Sequence, residues 1–280
     1  SGSELGWRSG TGKWPSYYVD SLPAMLDVGP GSPVGVEFGY GAKFPAKYQK
    51  ALFICDWTFG TMYALHTEPA GATYKATKEE FLSRTPLPLT DLCVNPIDGA
   101  LYFTTGGRGA QSELYRVTYT GPEPTAPADA KTPETPERKL LKQIEEYHKP
   151  AADAARAVAF LQPLLHHEDR FVRYSARVAL EHQPVNGWQD RALADESALG
   201  TINGVVALAR QGDKSLQPKL LAALDRFVLM TDEELLKFGV PAPKPGAFFA
   251  APEAVMLDLL RAYQLVFTRT GEPSKEAAAA

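Results

Sequence analysis

Four side chains frame the chemical question: Arg8, Asp56, Trp57 and Arg108. Arg8 stands in GSELGWRSGTGKWP, where Trp7, Lys13 and Trp14 accompany it among four glycines. Aromatic planes beside cations suit the face of a sugar or a quinone, and they serve an ordinary anchored loop equally well. Asp56 and Trp57 close the run ALFICDW where a strand meets a loop. Arg108 sits between Gly107 and Gly109 in a glycine turn, which would carry its guanidinium outward. These four are expected at the rim of a ligand site, as contacts and not as groups that make or break bonds.

Bond-making residues are harder to find. There is no Gly-x-Ser-x-Gly, and His66, the one histidine before the proline-rich stretch, has no serine or cysteine partner by motif. Asp20, Asp27, Asp56 and Asp91 could pair across loops as general acid and base, yet spacing in sequence cannot bring them together. Asp91, just before Cys93, is expected to order a turn. No zinc spacing occurs, and His166-His167 reads as the loop before a helix because adjacent residues diverge on a helix. The chain lacks Cys-x-x-Cys-His, so it carries no covalent haem c site. Cys55 and Cys93 both fall in apolar strand contexts and read as small buried side chains, with a disulfide as the alternative.

The elements that must position these residues change character along the chain. In LTDLCVNPIDGALYFTTGGRGAQSELYRVTY, residues 89–119, three strands are joined by a turn at Asp98-Gly99 and another at 106–109. The same pattern precedes it: strands over 34–38, 51–56, 61–66 and a charged outer strand over 73–81. GALYFTT aligns with KALFICD, and ELYRVTY with TMYALHT, at a period of about fifty residues. Four-stranded units at that period fit β-propeller blades. Closed propellers have roughly 4 to 8 blades, so the first 120 residues are expected to be the last blades of a longer protein, whose remaining blades would be their partners.

Residues 121–137 hold five prolines and no large apolar side chain, which predicts an extended linker. Beyond it the apolar period is 3.6. Helices are predicted over 138–147, 154–165, 169–182, 197–211, 216–229 and 253–268, a HEAT-like repeat domain over 138–271, with 272–280 as a disordered tail. In 169–182, Phe171, Val172, Ala176 and Leu180 fall on one side, while Arg170, Arg173, Arg177 and Glu181 fall on what should be a solvated face. The fold class expected is therefore β followed by α: a partial propeller of about two antiparallel blades, then helical repeats. The net charge of −4, from 33 acids against 29 bases, gives no general attraction for nucleic acid, and no apolar run reaches the roughly 18 residues of a membrane span.

The segments GWRSGTGKWP, SPVGVEFGYGAKFPAKYQKALFICDW and LPLTDLCVNPIDGALYFTTGGR with LYRVTY resemble the final blades of bacterial membrane-bound dehydrogenases related to glucose/sorbosone dehydrogenases. HHEDRFVRYSARVALEHQP and LRAYQLVFTR resemble the HEAT-type helical region that follows those blades. The resemblance runs from Gly2 to about Gly271. It implies a periplasmic or otherwise extracytoplasmic sugar or alcohol oxidoreductase, of which this chain is a fragment, often with a separate haem-binding cytochrome domain. In the similar soluble enzymes pyrroloquinoline quinone is gripped by cations on blade loops and a histidine acts as base. The comparable positions here hold Thr58, Pro88 and Thr90, and the histidine would lie in earlier blades. Arg8, Asp56, Trp57 and Arg108 are left as rim contacts, with a sugar as ligand. The alternative is a noncatalytic scaffold that binds a glycan or a protein.

Overall fold

The computed structural model describes residues 15, 17–131, 133–228 and 253–272. The chain divides into two compact units, Met25–Glu134 and a second made of Ser1–Ala24 with Thr135–Ala280. Its fold is mixed: two antiparallel sheets of four and three strands, neither closed into a barrel, followed in sequence by helices. No helix among the described residues is long and apolar enough to cross a membrane.

In the strand unit, β1 (Pro33–Phe38), β2 (Leu52–Asp56), β3 (Thr61–Ala70) and β4 (Thr73–Ser83) form a meander in the order β1-β2-β3-β4. A short helix α1 (Ala46–Gln49) lies in the first connection. The second sheet is β5 (Leu89–Val94), β6 (Leu101–Gly107) and β7 (Ala110–Val117), again in sequence order. The alternation read from the sequence decides which side chains face inward: Phe53 and Cys55 from β2, Met62 and Ala64 from β3, and Leu89, Leu101 and Phe103 from the second sheet share one buried cluster. Each large apolar side chain removed from water contributes roughly 1.5–3 kcal/mol, so neither sheet holds its face without the other.

The first strands of the two sheets run against each other at Gly35. A Cβ built there would lie 2.5 Å from the Asp91 Cα, so only glycine admits this approach of β1 to β5. Between β5 and β6 the connection is longer than the two-residue turn expected at Asp98-Gly99. Asn95 and Ala100 close it, with the Gly99 amide on the Asn95 carbonyl at 2.8 Å, the Ala100 amide on Asp98 Oδ1 at 2.9 Å and Gly99 at φ +69°. Asp98 is held further by Tyr102 and Arg116, and the three together keep its carboxyl below the usual carboxylate range, the Ala100 amide first.

The helical unit contains α2 (Pro136–Glu145), α3 (Ala154–Leu161), α4 (Arg170–Glu181), α5 (Gln189–Leu193), α6 (Ala198–Gln211), α7 (Gln217–Val228) and α8 (Glu253–Thr270). Side-chain caps start four of them: Thr135, Asp153, Asp169 and Ser197 each accept a backbone N–H from the first turn. α6 is buried on nearly every side, and α4, α5, α7 and α8 all pack against it.

The arginine face of α4 departs from expectation. Arg177 is 1% exposed, paired with Glu181 and stacked on Tyr174, while Arg210 reaches the other Glu181 oxygen at 3.0 Å. Arg170 donates to the Tyr18 and Ser21 carbonyls, and Arg173 to those of His167 and Glu168. Residues 17–21 are thus tied to the helices, a tie completed by Arg261 of α8, which grips Asp20 through two bonds of 2.8 Å. The face expected to be solvated is a set of anchored cations.

Candidate functional site

Because strand direction alternates in a meander, the connections β2–β3, β4–β5 and β6–β7 all emerge at one end of the strand unit. Between them lies a cleft of about 360 Å3, lined from the first by Trp57, Thr58 and Phe59, from the second by Arg84 through Pro88, and from the third by Gly107 and Arg108. Sites for small molecules begin at roughly 300 Å3, so the cleft is of serviceable size.

Two of the four residues singled out in the sequence meet here. The Trp57 indole Nε1 donates to the Gly106 carbonyl at 2.8 Å, which fixes the ring plane across the two sheets. Over that ring stands the Arg108 guanidinium, 5.0 Å from its centroid. Arg108 holds φ +48°, a left-handed conformation rare outside glycine, flanked by Gly107 at +100° and Gly109 at +81°. No carboxylate or carbonyl pairs with Arg108 among the described residues.

Asp56 has a different part. It is 4% exposed and turned into the protein, where Oδ1 accepts the amides of Ser32 and Thr58, each at 2.9 Å, and lies 3.5 Å from the Phe59 amide. It builds the loop that carries Trp57, with no face left for a ligand. Arg8, with Trp7, Lys13 and Trp14, lies outside the described residues.

Two cleft residues had no place in the sequence reading. Phe59 is 52% exposed and offers a bare aromatic face. Arg84 donates to Tyr115 Oη at 3.1 Å and sits 3.7 Å from Glu113, so its charge is already answered. The run Ser83-Arg84-Thr85-Pro86 carries no motif, and only the fold brings it beside Trp57. The lining thus combines two cations, apolar surface from Phe59, Leu87 and the two prolines, the threonines Thr58 and Thr85, and, among the described residues, no acid.

The positions compared with a quinone grip do not fit one. Thr58 and Pro88 lie in the cleft wall without charge, and the Thr90 hydroxyl is spent on Thr104, 3.0 Å from its carbonyl oxygen and 2.8 Å from its hydroxyl.

The remaining candidates are accounted for locally. His66 Nε2 is 2.8 Å from Glu79, whose carboxyl it holds below the usual range, with Tyr48 and Lys47 adding to that effect. His167 Nδ1 accepts the Asp169 amide at 3.0 Å, and no group of three or more metal-ligating side chains occurs among the described residues. Asp20, Asp27 and Asp91 are engaged with Arg261, the Gly29 amide and the Leu92 amide, so no acid pair forms. Both cysteines are free. Cys55 is buried, and burial, with Asp91 adding to it, pushes its thiol up to about 12. Cys93 is exposed, contrary to the burial expected of it, because β5 turns that position outward.

In the helical unit a further group escaped the sequence. Asp258 of α8 faces Arg170 and Arg173; burial raises its carboxyl to about 6 against the downward pull of both arginines. No family model, curated protein or solved structure matches this chain.

Proposed function

We propose that this chain is the C-terminal part of a propeller oxidoreductase of the glucose/sorbosone dehydrogenase-related kind, two adjacent blades followed by HEAT-like helices. In this reading it supplies binding surface and bracing, while the redox centre is held by blades outside this chain. The observation that carries it is the contact of β1 with β5 at Gly35. Two sequential antiparallel meanders with their first strands in contact and a buried cluster shared between the sheets support a reading as neighbouring blades. The extracytoplasmic setting, the sugar or alcohol substrate and the cytochrome domain rest on the sequence resemblance alone.

The test is reconstitution of the full-length parent with pyrroloquinoline quinone and calcium, followed by dye reduction with a panel of sugars and alcohols. Turnover supports the proposal, and a parent that binds no quinone and reduces no dye removes it. A second reading, a noncatalytic glycan-binding module, is favoured by one observation: the cleft between the β2–β3 and β6–β7 turns presents an aromatic platform and an unpaired cation without a general base beside them among the described residues.

A further inference from the structure

We infer that the cleft around Trp57 and Arg108 binds a sugar acid, a pyranose ring carrying one carboxylate such as glucuronate. The inference deepens the second reading above and rests on it, and it needs nothing of the dehydrogenase chemistry.

The charge of the ligand follows from the cations. Two line the cleft, and among the described residues no acid does. Arg84 is engaged with Tyr115 and Glu113 of β7, whereas among the described residues Arg108 has the Trp57 ring beneath it and no ion-pair partner. One uncommitted guanidinium suits a monoanion, and its planar fork matches a carboxylate through two parallel N–H donors. A doubly charged phosphate would leave one of its charges unanswered.

The body of the ligand follows from the walls. Trp57 cannot swing away, because its indole N–H is bonded to Gly106, and its face is already covered by Arg108. Phe59 is therefore the open platform, and the C–H face of a sugar ring is the surface such a platform takes. Thr58 and Thr85 are exposed residues of the same lining, and their hydroxyls have no partner among the described residues, so they can meet ring hydroxyls. An aromatic carboxylate would use Phe59 and Arg108 and leave both threonines idle.

The arrangement is also set before any ligand arrives. Arg108 is held in a left-handed conformation between two glycines of positive φ, and Asp56 fixes the loop that carries Trp57 and Phe59. A site already in its bound geometry loses little freedom on binding.

Calorimetric titration of the full chain with glucuronate, glucose and benzoate tests the inference. Glucuronate is expected to bind, with affinity falling as salt is raised, and glucose and benzoate to bind at least about tenfold more weakly. Arg108→Gln should weaken glucuronate by roughly ten- to a hundredfold, the loss expected of a charge-assisted pair. Arg108→Asn, better suited to the left-handed backbone, serves as the second variant if the first misfolds. Phe59→Ala should weaken glucuronate and glucose alike. Equal binding of glucose, equal binding of benzoate, wild-type affinity in the Arg108 variants, or no heat with glucuronate at millimolar concentration would each overturn it. None of these results bears on turnover, so failure here is separable from failure of the dehydrogenase proposal.

Discussion

Asp56 offers the sharpest division between a scaffold and a ligand contact. Its Oδ1 takes the Ser32 and Thr58 amides at 2.9 Å, which joins the start of β1 to the β2–β3 turn. Hydrogen bonds to a charged group contribute about 1.5–3 kcal/mol each. Ser32 and Thr58 are themselves exposed, so water would recover part of the loss. Asp56→Ala should then destabilise the strand unit by about 2–3 kcal/mol, and Asp56→Asn, which keeps an acceptor, by about 1 kcal/mol. The assay is hydrogen exchange read amide by amide, because Ser32 and Thr58 report on the loop without interference from the helical unit. Both amides should exchange faster in the alanine variant, with the loss of protection spreading to β2. Binding in the cleft should fall only as far as the loop is loosened, so the asparagine variant keeps most of it. If Asp56 instead met a ligand, both variants would lose binding while exchange at Ser32 and Thr58 stayed as in the parent. That result would refute the assignment of Asp56 as the builder of the loop.

Gly35→Val places a side chain where Asp91 Cα already stands at 2.5 Å from the modest position of a Cβ, so it should cost at least about 1–3 kcal/mol and lower the urea midpoint; an unchanged midpoint would show that β1 and β5 are not in contact. Glu181→Gln leaves Arg177 buried without its counter-charge and should cost about 3–5 kcal/mol, whereas Arg177→Met with Glu181→Met should be close to neutral; equal loss in single and double variants in thermal melts would contradict the buried pair. For Asp258 the folded carboxyl, at about 6, binds its proton more tightly than the ordinary value of 3.8, so the protonated form stabilises the fold at low pH and that contribution is lost as pH rises through about 6. Asp258→Asn should remove this slope and gain up to about 3 kcal/mol at pH 8, and a variant with the parent's pH profile would show the carboxyl to be ordinary. Gln49 bonds the Phe44 and Ala126 carbonyls and the Ala128 amide, so limited proteolysis should spare 125–128 until Gln49→Ala frees them; early cleavage there in the parent would break this account.

The strands and helices were legible because alternation and 3.6 periodicity are local properties. All seven strands fall within a few residues of their expected positions, and each expected helix has its counterpart among α2, α3, α4, α6, α7 and α8. What covers a face is not local. The spacing of Arg170, Arg173 and Arg177 placed them together on α4 but could not tell that residues 17–21 bond Arg170, that Asp258 of α8 faces Arg170 and Arg173, or that Arg177 is buried against Glu181. Asp56 illustrates the same limit at the site. A carboxylate at a strand end can point to solvent or to its own loop, and only the approach of Ser32, 24 positions earlier, decides it. Trp57 and Arg108 were found because a strand end and a glycine turn carry side chains out onto loops, where ligand contacts concentrate. Their meeting required the pairing of the two sheets.

The two ends of the strand unit are finished differently, and that contrast supports the cleft as the binding end better than any single residue does. At the end of the β1–β2 and β5–β6 connections, the loops bond one another: the Lys43 amide meets the Gly99 carbonyl at 2.8 Å, and Gly99 is so closely packed that a Cβ would strike Lys43. Gln49 seals the same end by holding the segment after β7. At the other end bonds such as those of the Arg84 amide to the Gly60 carbonyl, the Gly106 amide to the Pro88 carbonyl and the Trp57 indole to the Gly106 carbonyl fix the walls of the cleft while leaving the space between them open. A loop closed by its own backbone partners has few groups left for a ligand. The open end keeps one guanidinium, one aromatic face and two hydroxyls without a hydrogen-bond or ion-pair partner among the described residues, a combination suited to recognition.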